Sequence, residues 1–135
     1  MDTNAIVIME KNIITGILES EVGIYSIKSD LNLIDSIYMM KKDDKKIVTL
    51  KLTTAKDVED WEFSAILDYY DEEIFNGEIM SCEEVEDTFN PVWELKFELL
   101  NFEDDMEEKL DLIVSKHGKE LNDVYEEIKD KKNDY

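Results

Sequence analysis

The most regular pattern in the chain lies near its end. Met106, Leu110, Ile113, His117, Leu121, Val124 and Ile128 recur at spacings of 4, 3, 4, 4, 3 and 4. That is one stripe of a helix with 3.6 residues per turn, and it predicts a helix over about 104–131. The first turn is acidic (Asp104, Asp105, Glu107, Glu108) and the last is basic (Lys129, Lys131, Lys132). Both ends suit the helix dipole. Such a helix is roughly 42 Å long, against about 30 Å for a small domain. Its final turns are therefore expected to overhang. The stripe His117, Leu121, Val124 and Ile128 would then need a partner, and the expectation is a homodimer or another protein docked on this helix.

The first half of the chain alternates with a shorter period. Ala5-Ile6-Val7-Ile8-Met9 is apolar on both faces, as a central strand would be. Strands are expected over 13–18 and 22–28, punctuated by Gly16 and Gly23. Two more, 33–41 and 46–53, flank Lys42-Asp43-Asp44-Lys45 and read as a hairpin. A two-residue turn at Asp43-Asp44 sets Met39 opposite Val48 and Ile37 opposite Leu50, on a side that continues through Leu52.

A helix over about 55–75 follows. Thr54 with Asp57 resembles a capping box, and Asn76-Gly77 is a stop signal. Val58, Trp61, Ala65 and Tyr69 form one apolar arc, and Phe63, Ile66, Tyr70 and Ile74 another; Asp60, Ser64, Asp68 and Asp71 share the remaining face. A second hairpin is expected over 78–86 and 92–100, its turn marked by Asn90-Pro91. In the later strand Trp93, Leu95, Phe97 and Leu99 alternate with Glu94, Lys96 and Glu98, the signature of a half-buried strand. No linker or internal repeat interrupts these elements, and the chain has only four glycines and one proline. The reading is one α+β domain over 1–135, a mainly antiparallel sheet of five or six strands packed with two helices.

Composition adds a compartment and a charge problem. At 135 residues with 43% hydrophobic content, the chain can bury a core without disulfides or metal. It has no basic, apolar leader, no apolar stretch near the 20 residues of a membrane span, and one cysteine, so a cytoplasmic location is expected. Abundant isoleucine and lysine with scarce alanine fit an A+T-rich bacterial or viral genome. The net charge is −20, and all fifteen basic residues are lysine. Without arginine, the usual fork for phosphate and guanine, direct nucleic-acid binding is not expected, and neither is membrane binding. The charge is uneven. Residues 1–56 hold eight acids and eight lysines, 57–108 hold twenty acids and one lysine, and 109–135 hold seven acids and six lysines.

The chemistry-bearing residues are few. His117 is the only histidine; in an apolar stripe beside Gly118 it reads as a buried contact with close approach at the glycine, and a lone histidine makes no zinc site. Cys82 precedes Glu83 and Glu84, which suppress its thiolate, and it reads as a buried apolar residue. Residues 72–83 carry Gly77 and Glu83 where a calcium loop needs them, but Ile74 stands where a carboxylate is required. Asp60, Asp68 and Asp71 could share a weak ion, but read first as a solvated face. Phosphate loops and nucleophile elbows are missing. No cofactor is expected. The expected function is a non-enzymatic interaction module that meets a basic protein through 57–108, with Asp60, Trp61, Asp68, Tyr69, Tyr70 and Asp71 as its surface. The alternatives are a nucleic-acid mimic that inhibits a DNA- or RNA-binding protein and, behind it, a metal-dependent hydrolase with carboxylate ligands.

Overall fold

The hairpin around Asp43-Asp44 sets the register of the whole sheet. In the computed structural model, which describes residues 4–135, Asp43 and Asp44 have φ of 51° and 65°. Two successive left-handed residues make a type I′ turn, whose twist matches that of the strands it joins. The turn joins β3 (Ile34–Lys42) to β4 (Lys45–Thr53) and pairs Met39 with Val48 and Ile37 with Leu50, as the alternation requires. Met39, Val48, Leu50 and Leu52 are buried on the same side.

Around this hairpin stand β1 (Asn4–Lys11), β2 (Leu18–Ile27), β5 (Ser81–Glu84) and β6 (Val92–Glu98), with α1 (Asp60–Tyr69) and α2 (Glu103–Ile128). The six strands form one sheet of order β2-β1-β3-β4-β6-β5. Every pairing is antiparallel except the short parallel contact of β1 with β3. The fold is α+β. Both helices lie on the face that carries Ile6, Ile8, Tyr25, Ile27, Leu50, Trp93, Leu95 and Phe97. On the other face Lys51 and Lys96 reach Glu94 at 3.9 and 3.7 Å, partly exposed to solvent.

That one-sided layering corrects the reading of β1. It has a strand on each side, but Val7 is 47% exposed, because no layer covers the second face. The strand expected over 13–18 does not form either. Asn12 accepts the N–H groups of Ile14 and Thr15 on its side chain, Gly16 turns back with φ of 74°, and β2 starts at Leu18. Local side-chain hydrogen bonds outcompete the ladder there. The free edge of β2 is partly closed by α2. Glu107 accepts from the Ser26 N–H, and Asp111 accepts from the N–H groups of Lys28 and Ser29. Satisfied edge groups are poor templates for aggregation.

α1 is ten residues long, far shorter than expected. Thr54 does not cap it; the Thr54 hydroxyl donates to the Lys56 carbonyl instead. The Val58 N–H donates to the Asn90 side chain, which in turn donates to Asp57, so this stretch is held against the β5–β6 turn. Glu59 is the N-cap, and the Glu62 side chain accepts its N–H. The helix stops because Tyr70 takes extended geometry and turns into the core. A separate 3-10 turn, Glu72–Phe75, ends at Asn76-Gly77, with Gly77 at φ 88°.

α2 matches the stripe closely, but it does not overhang. Val124 and Ile128 are each 2% exposed, like Leu121. α1 packs along α2, and the last residues of the chain fold back onto α1. The expectation that the stripe at His117, Leu121, Val124 and Ile128 stands exposed for a partner is therefore corrected: the protein buries the stripe itself.

Candidate interaction surface

The candidate surface is positioned by a buried polar node. His117 is fully buried on α2. Its Nε2 lies 2.8 Å from the Thr53 carbonyl at the end of β4. A carbonyl only accepts, so Nε2 carries the proton and Nδ1 is free to accept. The Tyr70 hydroxyl, 2.7 Å away, donates to Nδ1. Trp93 of β6 stacks on Tyr70 with ring centroids 4.2 Å apart and meets His117 edge-on. Burial drives the His117 pKa down to about 4 against the Thr53 hydrogen bond, and burial also raises that of Tyr70. The node is neutral at pH 7 and sealed from solvent, so it holds Tyr70 and α2 in place and offers no substrate a base.

Pinning Tyr70 inward leaves its neighbours Tyr69 and Asp71 facing out. Tyr69 is 37% exposed. It lines a cleft of about 310 Å³ between α1 and α2, together with Asp71, Glu120, Asp123, Val124 and Glu127. Glu120 accepts the Asp71 N–H at 2.9 Å, which ties the exit of α1 to α2. On α1 itself, Trp61 is half-buried and its indole N–H donates to Glu59; Asp60 and Asp68 are exposed.

Of the six residues that the sequence proposes for this surface, Tyr69 and Asp71 line the cleft, while Trp61 (half-buried) and Asp68 (exposed) stand elsewhere on α1. Asp60 is exposed at the start of α1. Tyr70 does not belong to it; it is a core residue, because the hydroxyl finds His117 only by turning inward. The sequence reading missed Glu120, Asp123 and Glu127. Their spacing of three and four puts them on one helix face, but the nearly neutral charge of 109–135 hid them.

Other candidate chemistry is weaker. Cys82 is half-buried on β5, and burial, with Glu72, Glu84 and Glu83 nearby, pushes its thiol up to about 12. A thiol raised this far stays protonated at neutral pH, which weakens it as a nucleophile. Among the described residues, no group of three or more His, Cys, Asp or Glu is placed to hold a metal ion. No helix among them is long and apolar enough to cross a membrane. At the opposite end of the fold, Ile13, Ile14, Ile17 and Leu18 crowd the β1–β2 turn and are all exposed, Ile14 to 91%. An apolar group of this kind is a common mark of an interaction site.

No curated protein and no solved structure matches the chain significantly. One protein family does match, over residues 1–135, under the description "Family of unknown function (DUF6762)". By that match over its whole length, the chain belongs to this family.

Proposed function

We propose that the protein is a non-enzymatic interaction module, and that the acidic and aromatic surface between α1 and α2 receives a basic segment of a partner protein. The observation that carries this reading is Tyr69, held out of the core beside Asp71, Glu120, Asp123 and Glu127. A tyrosine gives a rigid contact, and the carboxylates around it favour lysine or arginine. The sealed His117 and the protonated Cys82 supply no working nucleophile or base, which favours binding over catalysis.

A nucleic-acid mimic needs rows of carboxylates free of cations. Lys116 and Lys119 stand one helical turn from Glu120 and Asp123 on α2, so the row is broken. The basic-partner reading is the better supported.

The test is titration with short lysine-rich and arginine-rich peptides, followed by two-dimensional NMR. The reading expects shifts around Tyr69, Asp71 and Asp123 that weaken as salt rises, because exposed charges are screened over about 8–10 Å at physiological ionic strength. Asp123→Lys with Glu127→Lys should abolish them. Shifts spread evenly over the whole acidic surface would defeat the reading.

A further inference from the structure

Residues 129–135 sit on the face of α1 that adjoins this cleft. The Lys131 ammonium lies 5.6 Å from the centre of the Tyr69 ring. Lys132 pairs with Glu59 at 4.0 Å, and the Tyr135 hydroxyl donates to Asp68 at 2.6 Å. Two lysines and a tyrosine therefore occupy Tyr69 of the cleft and the neighbouring α1 carboxylates Glu59 and Asp68, groups of the kind a basic partner would use. From this we infer that residues 129–135 are a built-in occupant of the surface, that the partner segment carries the same chemistry, adjacent lysines followed by a tyrosine, and that it binds by displacing this strap.

The way the segment is attached supports displacement. Its backbone hydrogen bonds are local: Lys131 donates to Ile128, Asp134 to Lys131 and Tyr135 to Lys132. The 3-10 turn Lys132–Asp134 contains no buried residue, so lifting it withdraws no side chain of its own from the core. All three side-chain contacts are at the surface, where ion pairs and cation–π contacts are weak. Tethering compensates, since a segment on a short linker acts at an effective concentration on the order of millimolar. Weak contacts that are always present make a competitor that a tighter external segment can replace.

The inference rests on the surface being a binding surface, and the experiment separates the two. The probe is a blocked peptide of residues 129–135, Lys-Asp-Lys-Lys-Asn-Asp-Tyr, titrated into the full chain and into the full-chain variant Lys131→Ala/Lys132→Ala/Tyr135→Phe. The indole N–H of Trp61, bonded to Glu59, is the NMR reporter. The variant should bind the peptide at least about tenfold more tightly than the unaltered chain, and adding Asp68→Ala to the variant should remove that gain. Equal affinity in the two chains would overturn the strap while leaving the surface reading intact. So would a variant that ignores this peptide but binds a simple oligolysine at Asp71 and Glu127. Failure of both chains to bind either peptide would overturn strap and surface together.

Discussion

The Tyr70 hydroxyl donates a hydrogen bond of 2.7 Å to Nδ1 of His117, joining the exit of α1 to the middle of α2. Replacing His117 with Ala would strand that hydroxyl and the Thr53 carbonyl in the core. The expected loss is about 3 kcal/mol of folding stability, measured by urea denaturation. Tyr70→Phe should cost less, because the ring stays stacked on Trp93.

The same histidine gives the fold a pH dependence. Its pKa falls from 6.5 to about 4 on folding, because burial disfavours the charged ring. Between those values the unfolded chain binds a proton that the folded chain does not. The contribution of neutral His117 is whole above pH 6.5 and is lost as the pH falls toward 4. The loss amounts to about 3 kcal/mol at 1.36 kcal/mol per pH unit. Carboxylates titrate in the same range, so the measurement is the difference between the unaltered chain and His117→Gln. A difference that stays constant from pH 7 to pH 4 would refute the assignment.

Tyr135 should titrate unlike an ordinary tyrosine. Its hydrogen bond to Asp68 holds the proton and pushes the pKa up to about 12. Asp68→Ala should bring it back toward 10, as followed by the NMR shift of the Tyr135 ring. An unchanged titration would mean that the strap does not rest on Asp68.

Gly118 lies where α2 approaches the segment that leads into β3. A Cβ there would stand 3.1 Å from Leu33 Cδ1. Gly118→Val should therefore destabilise the protein by about 1–3 kcal/mol through overpacking, read as a lowered melting temperature.

The β3–β4 turn offers a gain. Asp43 and Asp44 both hold positive φ, which Asn and Gly adopt more readily. Changing the pair to Asn-Gly should raise stability by about 1 kcal/mol, and the pairing of Met39 with Val48 should persist in cross-strand NMR contacts.

Much of the fold was legible because it follows from local periodicity. The stripe of α2, the alternation of β6 and the β3–β4 register depend on residues a few positions apart. A one-residue slip of that register would have turned Leu50 and Leu52 out of the core. The candidate surface was half legible, with Tyr69 proposed from an apolar arc, Asp71 from the polar face, and Glu120, Asp123 and Glu127 overlooked.

By itself, then, the sequence determined the α+β class, the register of the β3–β4 hairpin, the apolar face of the final helix and the net charge of −20. Tertiary structure alone decided three things. It ended α1 at Tyr69, because the hydroxyl of Tyr70 gains a buried partner in a histidine 47 residues away. It left one face of the sheet open, because both helices pack on the other. It buried Val124 and Ile128 within the chain, which no spacing along α2 encodes. Periodicity reports which side of an element is apolar. What covers that side depends on contacts between residues far apart in the chain, and those exist only once the chain has folded.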